Sequence, residues 1–182
     1  MAGCALVIID MQKAYFNNDA LKQQQASLTD ACNQLINYAH AQDMPVYNVR
    51  TQHKRDTSTW TLNMLEDEQG YLFEGDNDCE NVAGLQTEQT IEILKTRDSA
   101  FYKTSLEDLL RIRNIDKLII CGVSTHTCVS MTAADAYAAN IKVTLITDAI
   151  ASHNPSLHEP ALYLLQDEYR QTAKTVNDLI RR

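Results

Sequence analysis

Apolar residues follow two rhythms along this chain. Residues 4–9 (CALVII) form an unbroken apolar run that closes on Asp10, and residues 117–123 (KLIICGV) and 143–147 (VTLIT, closing on Asp148) repeat the pattern. Runs without polar alternation predict strands covered on both faces, as parallel sheets require. Residues 45–49 and 91–94 are shorter candidates, and a weak sixth lies near 173–176. Between them the period lengthens. Leu28, Ala31, Cys32, Leu35, Ile36 and Ala39 share one helical face, with Ser27 as the predicted N-cap. Thr104 and Glu107 have the spacing of a capping box ahead of Leu106, Leu109, Leu110 and Ile112. Further helices are predicted from Val129 through Ala136 and from Leu157 through Leu165, the latter with Pro155 and Pro160 near its first turn. Strands alternating with helices predict crossovers over an open parallel sheet. The segment 51–89 breaks the alternation. It is polar, acidic and without sustained period, which in a compact domain often marks a functional loop. No linker or repeat divides the chain, and one domain over residues 1–182 is expected.

Composition narrows the function. With 182 residues, 45% hydrophobic and 22% charged, the chain resembles ordinary globular proteins. The net charge of −8, with no basic run, argues against nucleic-acid or acidic-membrane partners. The apolar runs fall far short of the roughly 20 residues a membrane helix needs, and no signal-peptide arrangement precedes the first strand. The expectation is a cytoplasmic protein with its five cysteines reduced. Those cysteines form no CxxC pair, so neither a disulfide framework nor a structural zinc cage is expected. The five glycines, at 3, 70, 75, 84 and 122, are scattered. Neither GxGxxG nor GxxxxGK[ST] occurs, which removes dinucleotide and ATP enzymes of those types. No cofactor is expected.

Ligands of open parallel sheets bind beyond the carboxyl ends of the strands. That rule nominates Asp10, Lys95 and the stretch GVSTHTC ending in Cys128. A thiol at a helix start gains from unpaired N–H groups and a nearby ammonium, both of which favour the thiolate, and a carboxylate can take its proton. Each residue also has an ordinary reading. Cys128 would be a small buried hydrophobe, Asp10 a helix N-cap and Lys95 a solvated strand end.

Three stretches tie these residues together: ALVIIDMQ at 5–12, KTRDSAF at 95–101 followed by Thr104 and Leu106, and CGVSTHTCVSMTAADA at 121–136. In this order they resemble the isochorismatase-like cysteine hydrolase family over most of the chain. The resemblance implies a three-layer α/β/α sandwich with a six-stranded, mainly parallel sheet, and a catalytic triad of Asp10, Lys95 and Cys128. It further implies a non-proline cis peptide at Val123–Ser124, with the backbone N–H groups of Ser124 and Cys128 forming an oxyanion hole. Cys128 would attack a carbonyl carbon, an amine would leave, and water would cleave the thioester. A homo-oligomer, dimer or tetramer, is implied as well.

The presence of Cys128 favours the C–N-cleaving branch (amides, ureides, carbamoyl compounds) over the vinyl-ether branch, which lacks the nucleophile. Nicotinamidase-like members usually carry Asp-x-His and a second His that bind a metal. Here the matching stretch is Arg50-Thr51-Gln52-His53, so no metal is expected, and His53 either orients a substrate or faces solvent from a loop. A metal-assisted nicotinamidase and a catalytically idle binding module on the same fold are the alternatives. A zinc set of Cys121, His126 and Cys128 has mixed spacing and is remote. His126 would touch substrate, a subunit neighbour or only solvent. Tyr15, Trp60, Phe101 and Val123 are the remaining candidates for the substrate pocket, with ordinary core packing as the competing reading for the aromatics. The acidic stretch 66–80 reads equally as a lid, a subunit contact or a solvated loop.

Overall fold

The computed structural model describes residues 3–181. Its centre is a six-stranded sheet of β1 (Gly3–Ile9), β2 (Val46–Thr51), β3 (Ile91–Lys95), β4 (Ile115–Val123), β5 (Lys142–Ala151) and β6 (Thr172–Lys174), in the order β3-β2-β1-β4-β5-β6. Every neighbouring pair is parallel. The chain builds outward from β1 to β3, then returns to the other side of β1 with β4, so the order reverses between β1 and β4.

Helices cover both faces, which is why the central strands read as continuous apolar runs. Ala5, Val7 and Ile9 of β1 pack with Leu106 and Leu110 of α4 (Leu106–Ile112), Ala133 and Ala136 of α5 (Ser130–Ala138), and Leu162 and Leu165 of α6 (His158–Asp167). Leu6 and Ile8 point the other way, against Leu28, Ala31, Leu35 and Ile36 of α2 (Gln25–Ala41) and Val176 of α7 (Val176–Ile180). The remaining short helices are α1 (Asp19–Lys22) and α3 (Leu62–Glu66). This is the three-layer α/β/α sandwich.

Several element boundaries differ from the sequence expectation. Helix α2 starts before Ser27, because the chain arrives from α1 already close to helical; Gln24 is the capping residue, and the Ser27 hydroxyl donates to its carbonyl oxygen. Thr104 does accept a helix N–H, but from Leu106 two residues on, so its cap is a local turn and not a box with Glu107. Strand β5 runs on through Asp148 to Ala151. Its register with β4 jumps between Ile120↔Leu145 and Gly122↔Ile150, and the bulged residues serve the edge of the sheet. There the Asp148 carboxylate accepts the Val176 N–H (2.8 Å). The polar interruption that ends the apolar run thus marks a bulge inside the strand.

The irregular segment 51–89 is stapled down. His53 bridges to Phe73, and Gln12 bridges to Asn81. Met64, Leu72, Cys79, Val82 and Leu85 are buried anchors. Surface ion pairs Arg55–Asp76 and Lys13–Glu80, both 2.6 Å, tie the acidic stretch to its neighbours.

Candidate active site

Three strand ends deliver a carboxylate, a hydroxyl and an amine to one point. Asp10 follows β1 with a φ of 50° and donates its backbone N–H to Val49 of β2 (2.9 Å). Thr51 and Lys95 close β2 and β3 and stand directly in register. The Lys95 Nζ lies 2.7 Å from Asp10 Oδ2 and donates to Thr51 Oγ1 at 2.7 Å, while that hydroxyl donates to Asp10 Oδ1 at 3.0 Å. The Gln12 amide locks the same corner, donating to the carbonyls of Thr51 and Cys79 and accepting the Thr51 N–H, all at 2.8 Å.

The fourth group arrives from β4. After a cis Val123–Ser124 peptide bond the chain makes one wide helical turn of the π type, Thr125–Val129, which leads into α5. Such turns are frequent where a side chain must be re-aimed at a site. Here the turn sets Cys128 Sγ 3.4 Å from Lys95 Nζ. Asp10, Lys95 and Cys128, far apart in sequence, are 0%, 1% and 4% exposed. A buried ammonium is tolerable only when paired and hydrogen-bonded, and Lys95 has the carboxylate, the hydroxyl and the sulfur around it. Burial alone would lower its pKa; Asp10 and Cys128 outweigh that and raise it above the ordinary lysine value.

For the thiol the balance goes the other way. Burial, then the charge of Asp10, push the Cys128 pKa well above its ordinary value, and Lys95 only partly opposes them. The expectation of a thiolate favoured by a helix start is therefore corrected. The resting group is a thiol, because the site is dry and a carboxylate faces it.

A cleft of about 920 Å³ opens beside this cluster, walled by Leu62, Met64 and Tyr71 on one side and by Asp98, Tyr102 and Met131 on the other. Asp98 connects the two, its Oδ1 lying 4.0 Å from Cys128 Sγ. The segment containing α3 and Tyr71 thus forms one wall of the cleft.

The candidate pocket residues divide. Tyr15 stands by the cluster: burial, then the charge of Asp10, raise its phenol pKa well above the usual value. His53 is not a solvent-facing loop residue; it is 2% exposed, its Nδ1 is 2.9 Å from the Thr59 carbonyl oxygen, and its ring lies 6.1 Å from that of Tyr71. Trp60 does not cap the cleft. Its indole N–H donates to Lys54 O, and its ring packs on Phe73 at 6.0 Å, where Gly70 alone leaves room. Phe101 packs against the core between the sheet and α4, outside the cleft, and Tyr102 takes the place expected for it. Val123 is wholly buried on the α2 face, so it supports the loop from beneath. Cys121 also belongs to that face, its sulfur 3.7 Å from Cys32, which removes it from any zinc set with Cys128.

The nucleophile loop is clasped from its other side. Ser124 Oγ pairs with His153 Nδ1 (2.8 Å), Thr125 Oγ1 with His158 Nδ1 (2.8 Å), and His126 Nδ1 with Ser152 Oγ (2.7 Å). His126 is therefore committed to its own chain. Sequence reasoning missed Thr51, Asp98 and His153. Thr51 had a signal, since it closes a strand beside two others that end in charged residues, but threonine is too common at such places to stand out.

The residues do not fit a metal. The hydroxyl of Thr51 is engaged by Asp10 and Lys95, His53 has Tyr71 for a neighbour, and among the described residues no group of three or more His, Cys, Asp or Glu is arranged to hold an ion. No described helix is long and apolar enough to cross a membrane.

A parallel α/β sandwich with a carboxylate, an ammonium and a thiol gathered at its topological switch defines the isochorismatase-like hydrolase architecture. Residues 4–176 match the isochorismatase domain family, and the chain belongs to it. It is 32% identical over 163 residues to a probable inactive nicotinamidase of Arabidopsis thaliana, spanning 85% of this chain and 83% of that protein. It is 30% identical over 161 residues to nicotinamidase 3 of the same plant, spanning 87% and 78%. The crystal structure of an isochorismatase family protein from Desulfovibrio vulgaris superposes with a TM-score of 0.87 at 28% identity, covering 100% of both chains.

Proposed function

We propose that this family member is a cysteine-dependent amidohydrolase that cleaves a C–N bond of a small amide, ureide or carbamoyl compound. The observation that carries the reading is the dry contact of Asp10, Lys95 and Cys128 at the foot of an open cleft. A protonated resting thiol needs a base at the moment of attack, and Asp10 is the carboxylate placed to take that proton. Lys95 holds Asp10 in place and stabilises the sulfur anion as it forms. The backbone N–H groups of Ser124 and Cys128 are assigned to the oxyanion; losing one such donor typically costs about 2.7–4 kcal/mol of transition-state stabilisation. The proton on Asp10 leaves with the departing amine, and water cleaves the thioester.

The nicotinamidase names of the relatives do not carry over directly, because the ligand positions here are occupied by Thr51, His53 and Tyr71. The test is ammonia release from a panel of small amides and ureides by wild-type and Cys128→Ala protein. Turnover by the wild type that Cys128→Ala abolishes, with an unchanged thermal transition, is expected. Equal turnover by both proteins overturns the nucleophile assignment, and a folded wild type inert to the whole panel favours an idle module.

A further inference from the structure

The ring of His53 is held in one tautomer. A carbonyl oxygen only accepts, so the contact of Nδ1 with Thr59 O puts the hydrogen on Nδ1 and leaves Nε2 with its lone pair. Among the described residues nothing hydrogen-bonds Nε2, yet it is not one of the polar atoms sealed from solvent, although the residue is only 2% exposed. It therefore opens on the side of Tyr71, which lines the cleft. Burial, followed by the nearby charges of Arg97 and Lys95, holds the His53 pKa below the usual imidazole value against the opposing Thr59 bond, so the ring is neutral.

The other charged groups in the cleft follow the same polarity. Asp98 makes no side-chain ion pair among the described residues and offers its carboxylate 4.0 Å from Cys128 Sγ. Arg97 also lines the cleft, but its guanidinium is committed to the carbonyls of Thr59 (2.8 Å), Trp60 (3.1 Å) and Thr96 (2.6 Å). The leaving amine must meet Asp10 in the buried floor, so the retained part of the substrate points outward, toward acceptors.

We propose that His53 Nε2, together with the Asp98 carboxylate, selects substrates whose nitrogen flanking the scissile carbonyl carries an N–H: carbamoyl compounds R–NH–CO–NH2, cut at the terminal amide. This rests on the cysteine-hydrolase reading above. The Sγ–C bond forms as the terminal C–N bond breaks, and ammonia departs with the thiol proton relayed through Asp10. Water then splits the R–NH–CO–S adduct, restoring the thiol and releasing the carbamic acid, which loses carbon dioxide to leave R–NH2. A pyridine carboxamide would instead bring its ring lone pair toward an acceptor, a mismatch a hydrogen-bonding site penalises strongly.

Binding is measured calorimetrically on Cys128→Ala protein with N-propylurea, N-methyl-N-propylurea, which lacks the flanking N–H, and nicotinamide. N-propylurea is expected to bind about tenfold more tightly than either, the scale of one hydrogen bond that leaves a buried acceptor unpaired when lost. Adding His53→Phe should bring the ratio of the two ureas close to one, and His53→Gln, which keeps an acceptor oxygen, should preserve it. Equal affinities for the two ureas, tightest binding of nicotinamide, no binding of N-propylurea, or a preference that survives His53→Phe each overturn the proposal. If the His53→Phe protein does not fold, the comparison of the three ligands on the His53-containing protein still decides. Ammonia release by the wild type is scored separately, so a failed catalytic reading and a failed selection give different results.

Discussion

Asp10 has two opposite effects on Cys128, and one substitution separates them. Its charge makes the thiol hard to ionise at rest, and its oxygen is the proposed acceptor of the proton during attack. Asp10→Asn removes the charge and frees Lys95 to serve the sulfur alone. Iodoacetamide should then alkylate Cys128 faster than in the wild type near neutral pH, while hydrolysis falls by roughly a hundredfold or more, as expected for loss of a general base. Peptide-resolved mass spectrometry reads the first and ammonia release the second. Slower alkylation in the variant would mean that the carboxylate activates the thiol in the ground state. Asp10, Lys95 and Cys128 were legible because their strand ends and motif spacing mark them. Asp98, Trp60 and Phe101 were not, since sequence does not say toward which side of a strand end a side chain turns.

At the scale of elements, the site depends on how closely β4 approaches β1. Gly122 pairs with Ile9 at a φ of 110°, and a Cβ there would lie 2.0 Å from the Ile9 carbonyl oxygen, a backbone atom with no freedom to retreat. Gly122→Ala is expected to destabilise the fold by at least about 3 kcal/mol, strain and overlap acting together. Gly75→Ala is the control, at a φ of 84° with nothing within 4 Å of the added carbon. It should cost only about 1–2 kcal/mol, the conformational part alone. Urea melts of both proteins check this; similar midpoints would show that the close strand approach is not required. The strands themselves were readable because burial on both faces erases alternation. The bulge in β5 was not, because Asp148 reads as a terminator until its bond to Val176, far along the chain, is known.

For the whole molecule, acid sensitivity follows from imidazoles that the fold keeps neutral. Burial is the first cause of the depressed pKa of both His53 and His126, and the neighbouring His153 adds to it for His126. The unfolded chain binds these protons more readily than the folded one. The stability they provide is therefore complete above the ordinary value of 6.5 and is lost as the pH falls through it toward the folded-state values. Between about pH 7.5 and about pH 5.5 the wild-type melting temperature should drop by more than that of a His53→Gln, His126→Gln double variant. Equal drops would mean that both rings titrate alike whether folded or not.

The order of the sheet divides the site between two halves of the chain. Asp10, Thr51 and Lys95 come from β1, β2 and β3, whereas Cys128 and its loop come after β4, on the far side of the reversal. Neither half alone holds both an acid–amine pair and a sulfur. A chain interrupted between β3 and β4 would consist of two chemically inert fragments, and hydrolysis would reappear only as they recombine, making turnover a direct report of correct assembly.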